Sequence, residues 1–249
     1  MKRPLIGTSW KMNLVPSRAE AYCTQLKPLV EDLHDRTVFV LPPFPAIPAA
    51  VQVLSGSNVL WGAQDVHPED EGAHTGDVSA PMLADLGCTF VEVGHHERRR
   101  DYREDDALIA AKVAAAQRWG MTAILCVGEA ARLPYGQAKA HVLVQLQFLD
   151  RFDQGKLVVA YEPAWAIGTG AEPAGVDWVA SIHAVIGGRL REAAGPADPA
   201  AVIYGGSVDP ARASDLISCP GVDGLFVGRA ALKPEVLADI AHARLAARS

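Results

Sequence analysis

No stretch of this chain approaches the roughly 18 consecutive apolar residues that a membrane span needs. Its basic residues form no long tract, and 23 Lys and Arg against 29 Asp and Glu give a net charge of −6, which argues against a nucleic-acid partner. A phosphate-bearing ligand would therefore have to be held by local groups and not by the overall field. Cysteine is scarce: Cys23, Cys88, Cys126 and Cys219 are far apart, with no C-x-x-C pair and no zinc spacing. Free, buried thiols in a reducing compartment are the expectation, and no metal site. After Met1-Lys-Arg3 the apolar stretch is too short for a signal-peptide core, so a cytoplasmic protein is expected. A G-x-G-x-x-G turn after the first strand candidate is also missing, which weighs against a dinucleotide-binding open sheet.

What the chain does have is a large hydrophobic fraction, 49% of 249 residues, arranged in a repeating order. Short β-branched and apolar runs lie near 4–10, 37–41, 58–63, 89–94, 121–127, 156–162, 201–205 and 223–227. Thr37-Val-Phe-Val-Leu41 and Leu157-Val-Val-Ala-Tyr161 are near-continuous apolar runs, as parallel strands buried on both faces should be. Helical patterns fill the intervals. Ser17-Arg-Ala-Glu20 reads as a capping box opening the first helix. Leu108, Ile109, Val113 and Ala116 form a helical stripe with Lys112 at its edge, stem packed and ammonium in water. Asp209-Pro210 supplies a cap and a first helical residue for the seventh helix. Eight strand–helix units without a linker or composition break predict an α/β fold, a single-domain (β/α)8 barrel over residues 1–249.

In such a barrel, functional side chains sit where strands end. Ser9 and Lys11 follow the first strand candidate, His95 and Glu97 the fourth, and Glu162 the sixth. A lone Glu there is more often an ion-pair partner than a base. Here, however, Pro163-Ala-Trp-Ala-Ile-Gly-Thr-Gly170 follows it, an apolar segment with terminal glycines that reads as a lid. Tyr204-Gly-Gly-Ser207 and Val227-Gly-Arg229, after strands seven and eight, expose backbone N–H groups suited to an anion.

Together these segments resemble the triosephosphate isomerase family along nearly the whole chain. The matching stretches are W-K-M-N at 10–13, G-A-Q at 62–64, G-A-H-T-G-D at 72–77 and G-H-H-E-R-R at 94–99. C-V-G-E at 126–129, Y-E-P-A-W-A-I-G-T-G at 161–170, Y-G-G-S-V at 204–208 and D-G-L-F-V-G at 223–228 complete the set. The resemblance implies Glu162 as the base that removes a carbon-bound proton, and His95 as a neutral electrophile on the enediolate oxygens. It implies Lys11 as a positive charge near the substrate, with Glu97 as its partner, and a lid at 163–173. Backbone N–H groups around Gly168, Ser207, Gly228 and Arg229 would hold the phosphate, and Ser9 would contact the substrate oxygens. No cofactor and no metal are implied. The partner implied is a second copy, reached through loop 65–79 with Gly72-Ala-His-Thr-Gly76.

Several positions depart from the family's usual pattern. Ser9 stands in place of Asn, and a hydroxyl cannot reproduce a carboxamide's donor geometry. His96 replaces Ser and reads either as a second titratable group near Glu162 or as a packed histidine. Arg229 replaces a Gly, Pro173 stiffens the end of the lid, Arg103 replaces a Gly, and the Arg usual after C-V-G-E has no clear counterpart. G-T-S-W-K-M-N, the strand-eight Gly-Arg and the lid Pro are similar to the L-erythrulose-1-phosphate isomerase branch. That branch acts on a four-carbon ketose phosphate. The expected activity is therefore isomerisation of L-erythrulose 1-phosphate to D-erythrulose 4-phosphate, with dihydroxyacetone phosphate and glyceraldehyde 3-phosphate as the alternative pair. An inactive barrel that only binds a sugar phosphate is the reading from another class. Lys11, His95, Glu97 and Glu162 occurring together speak against it.

Overall fold

The computed structural model describes residues 3–244 apart from Thr169 and Pro196. Eight parallel strands close in sequence order into a barrel: β1 Leu5–Ser9, β2 Thr37–Leu41, β3 Val59–Ala63, β4 Phe90–Val93, β5 Thr122–Val127, β6 Leu157–Tyr161, β7 Ala201–Tyr204 and β8 Gly224–Val227. Closure joins β1 to β8, with Leu5 opposite Gly224 and Thr8 opposite Val227. The α-helices are α1 Pro16–Leu29, α2 Ile47–Leu54, α3 Ala80–Asp85, α4 His96–Asp101, α5 Asp106–Arg118, α6 Tyr135–Gln145, α7 Val176–Ala194, α8 Pro210–Ser218 and α9 Pro234–Ala241.

Strand alternation divides the core in two. Phe39, Leu41, Phe90, Ile124, Cys126, Val158, Ala160, Ile203 and Phe226 fill the barrel interior. Their alternate neighbours, such as Val38, Val40, Val91, Leu125 and Val159, pack outward beneath the helices. Gly7 is required by this interior: a Cβ there would lie 2.1 Å from the Phe39 ring, which stacks between Phe90 and Phe226 at 4.6 and 5.9 Å.

Three local expectations are corrected. The Ser17–Glu20 capping box does not form. Pro16, with its φ already fixed, takes the first helical position, so Val15 precedes the helix and no side chain caps it. On α5, Ile109, Val113 and Ala116 are buried but Leu108 is exposed; the helix opens instead on Asp105, whose side chain accepts the Leu108 N–H. Lys112 does not reach water: it is 4% exposed, and its Nζ donates to Asp65 Oδ1 at 2.7 Å and Glu104 Oε1 at 2.6 Å. Two buried carboxylates offer the ammonium more than partial solvation would. Asp209 does cap α8 as expected, accepting from Arg212 N. All four cysteines are free and buried.

Candidate active site

The strand ends open on a cavity of about 410 Å³ lined by Ser9, Lys11, Glu97, Gly168, Ser207, Gly228 and Arg229. Next to it is an inner recess of about 30 Å³ that shares Ser9, Lys11 and Gly228 with it and is walled by Glu92, His95, Glu162, Gly205 and Phe226. Ser9, Lys11, His95, Glu97, Glu162, Gly168, Ser207, Gly228 and Arg229 each line one or both of these cavities, whereas His96, Arg103 and Pro173 line neither.

Glu162 directly follows β6, its N–H donating to Val127 O at 2.8 Å. Two glycines make room for it. A Cβ at Gly205 would stand 2.8 Å from Glu162 Cγ, and one at Gly128 would stand 2.1 Å from Glu162 O. The carboxyl is 5% exposed, with Oε2 3.4 Å from His95 Nε2 and 3.7 Å from His96 Nδ1. Burial acts to raise its pKa, but His95, His96 and Lys11 outweigh it and hold Glu162 below the ordinary carboxylate value. It is an anion at neutral pH.

His95 precedes α4, and its Nδ1 accepts the Glu97 backbone N–H at 3.2 Å. A backbone amide can only donate, so Nδ1 carries a lone pair and the ring proton resides on Nε2, facing Glu162 and the recess. Burial lowers the His95 pKa, which keeps the ring neutral: a donor poised toward the recess, not a cation. The ring of His96 lies against that of His95 with centroids 4.2 Å apart. Sequence left open whether His96 packs or bears on Glu162. The structure gives it both neighbours.

Lys11 lies two residues beyond β1 in a left-handed backbone conformation, φ 54°, a costly state for a residue with a Cβ. Gln64 Nε2 donates to the carbonyls of Lys11 and Leu41 at 3.1 and 2.8 Å and holds the turn. The Lys11 ammonium donates to Glu97 Oε1 at 2.8 Å. That pair, with hydrogen bonding and charge from Lys11 and His95, keeps Glu97 below its ordinary pKa although burial opposes this.

The segment after Glu162 is a short 3-10 turn at Ala164–Ala166, fixed by Trp165 Nε1 donating to buried Glu129 Oε1 at 2.9 Å. Beyond it Gly168 and Gly170 take φ of 119° and 78°, and Ile167 and Gly168 face the outer cavity. The far end is tied to α8 through Arg212 Nη2 donating to Ala174 O at 2.6 Å. Glu129 received no role from the sequence; its burial under Trp165 and Tyr161 explains it.

Glu92 was missed as well. It sits on the inward face of β4, 2% exposed, and accepts the Ser9 hydroxyl at 2.7 Å. The signal was there: one charged residue inside Phe90-Val-Glu-Val93, where a strand buried on both faces should carry none.

A closed parallel barrel with a buried carboxylate, a neutral histidine donor and a lysine around one cavity is an arrangement suited to proton transfer. The family model described as "Triosephosphate isomerase" matches residues 4–244, and the chain belongs to that family. It is 44% identical over 242 residues to a triosephosphate isomerase of Thermus thermophilus, covering 94% of this chain and 96% of that protein. It is 40% identical over 245 residues to an L-erythrulose-1-phosphate isomerase of Mesorhizobium japonicum, covering 94% of each. The crystal structure of triosephosphate isomerase from Bartonella henselae superposes with a TM-score of 0.86 at 32% identity, covering 96% of this chain and 98% of that one. Among the described residues no helix is long and apolar enough to cross a membrane.

Proposed function

We propose that the chain interconverts two phosphorylated ketoses of four carbons, L-erythrulose 1-phosphate and D-erythrulose 4-phosphate, with Glu162 as the base. The Glu162 carboxylate takes the proton from the hydroxyl-bearing carbon beside the carbonyl. The C–H electron pair becomes the C=C bond, and the carbonyl oxygen becomes an enediolate oxygen. His95 Nε2–H and the Lys11 ammonium meet that developing charge, and Glu97 steadies Lys11. Glu162, now protonated, returns the proton to the neighbouring carbon while the hydroxyl proton passes to the other oxygen. Backbone N–H groups at Gly168, Ser207, Gly228 and Arg229 take the phosphate. The segment 163–173 excludes water, which protects an intermediate prone to expel its phosphate.

The four-carbon reading is carried by one observation. Ser9 has a short side chain that is drawn aside onto Glu92, and the inner recess beside Glu162 is left open. The relative named L-erythrulose-1-phosphate isomerase is consistent with it. The triose reading has support of its own, in the 44% identity to a triosephosphate isomerase. Assaying both substrates side by side separates them. We expect kcat/KM on L-erythrulose 1-phosphate to exceed that on dihydroxyacetone phosphate by at least about tenfold. A preference of that size for the triose would overturn the four-carbon reading, and no turnover of either would favour a binding-only barrel.

We further propose that the chain works as a homodimer through loop 65–79. Met12 is 96% exposed and Val15 62%, both beside the strained Lys11 turn, so a second copy would cover apolar surface that adjoins the site. Light scattering at micromolar concentration is expected to give twice the chain mass of 26.4 kDa; a monomer mass would remove this reading.

A further inference from the structure

Glu92 is a carboxyl on the inward face of β4, in a barrel interior filled by apolar residues such as Phe39, Phe90, Ile124 and Phe226; Ile124 is its register partner on β5. Packing alone asks for a hydrocarbon there. No cation touches it among the described residues. Its partners are the Ser9 hydroxyl at 2.7 Å on Oε2 and the Cys126 thiol at 3.8 Å on Oε1. An ionised carboxylate so placed is strongly disfavoured, and the group keeps its proton instead. Burial, then the charge of Glu162, push its pKa up to about 8. At neutral pH the two neighbouring carboxyls therefore differ: Glu162 is the anion, Glu92 the acid.

Neutral Glu92 and Ser9 bring two O–H groups, and the single hydrogen bond between them uses one. Whichever way that bond runs, one O–H remains for a further acceptor. Both residues wall the inner recess. Its volume of about 30 Å³ exceeds the roughly 10–15 Å³ that one water-sized group needs, so it has room for a small polar group. A three-carbon substrate ends at its reacting carbon beside Glu162, whereas a tetrulose phosphate carries one further carbon and hydroxyl beyond that carbon.

We propose that Ser9 and Glu92 form a subsite for the terminal hydroxymethyl group of a four-carbon ketose phosphate, with Glu92 as a specificity-determining residue. The inference rests on the four-carbon reading above and says which residues enforce it.

The test measures kcat/KM on L-erythrulose 1-phosphate and on dihydroxyacetone phosphate for the unaltered protein, Glu92→Leu, Glu92→Gln and Ser9→Ala. The quantity compared is the ratio between the two substrates. Glu92→Leu and Ser9→Ala are expected to lower the tetrulose-to-triose ratio by about 10- to 100-fold, because each leaves a substrate hydroxyl without its donor. Glu92→Gln keeps an N–H donor and should lower it less. A ratio within threefold of the unaltered protein in Glu92→Leu would overturn the proposal. So would equal losses on both substrates, which would mean that Glu92 acts only through Glu162. Should circular dichroism show Glu92→Leu unfolded, Glu92→Gln and Ser9→Ala decide, and an unchanged ratio in both overturns it. Failure of the four-carbon reading itself shows earlier, as an unaltered protein that turns over the triose alone.

Discussion

Glu162→Gln is expected to lower kcat by about 1,000-fold or more while the protein folds and still binds phosphorylated substrate. Positioned general bases contribute on the order of 10²- to 10⁴-fold. Here the base also works on carbon, where water is a poor substitute. The amide is nearly isosteric, so the packing against Gly205 and Gly128 is kept and only the proton-accepting charge is lost. Glu162→Asp is the companion variant. It keeps the charge but withdraws it by one methylene, and a displacement of about 1 Å at a reacting group costs on the order of 100-fold. Steady-state kinetics with both substrates, with intact fold checked by heat denaturation, reads both. Full activity in either variant would remove Glu162 as the base.

The order of these losses is set by the surroundings of the carboxylate. Its low pKa keeps it charged, so the base is in its proton-accepting form at neutral pH. His95 stays neutral because burial disfavours its cation, which leaves Nε2–H free to act on substrate oxygen instead of quenching the base as an ion pair. The same neighbourhood explains Glu92. Two carboxyls this close do not both ionise, and the one without a cation keeps the proton.

The barrel was legible because its strands are buried on both faces, so that Thr37–Leu41 and Leu157–Tyr161 stand out as near-continuous apolar runs. Ser9, Lys11, His95, Glu97 and Glu162 were legible because they interrupt polarity patterns at strand ends, where topology brings them to one rim. The partners of Glu92 and Lys112 were not. The charge inside β4 marked Glu92 as unusual, and Lys112 looked like a residue reaching water, but neither pattern says what the side chain meets. Those partners lie 83 positions away for the Glu92–Ser9 pair and 47 for Lys112–Asp65. The capping box failed for a local reason instead. Pro16 starts the helix one residue before Ser17, and a proline that fixes φ outranks a side chain that would only satisfy a donor.

The partners of Lys112 give the largest effect expected on stability. Asp65 and Glu104 meet there, both less than 10% exposed, and each carboxylate is also reached by Arg98, through Nη2 to Asp65 Oδ2 at 2.8 Å and Nε to Glu104 Oε1 at 2.6 Å. The four side chains join loop 65–79, α4 and α5 behind the rim that carries His95. Lys112→Met removes one of two cations from among two buried carboxylates at little change in volume. Breaking a buried pair from one side costs about 3–5 kcal/mol, which for a chain of this length lowers the melting temperature by roughly 6–20 °C. The pH dependence has a definite sign. Burial tends to raise the pKa of Glu104, but hydrogen bonds from Lys112 and then Arg98 hold it below the ordinary value. That depression contributes stability at neutral pH that is lost as pH falls through the folded-state pKa. Asp65, raised by burial and partly restrained by Lys112, rises further without the lysine, and its contribution is lost as pH rises. The gap between Lys112→Met and the unaltered protein should therefore be widest near pH 7–8 and narrow toward pH 4, where both carboxyls can take protons. Adding Glu104→Gln to Lys112→Met should recover part of the loss, since it removes a charge that no longer has its partner. Heat denaturation across that pH range measures all three proteins, and a gap that stays constant or widens on acidification would show that the lysine acts by packing and not by charge.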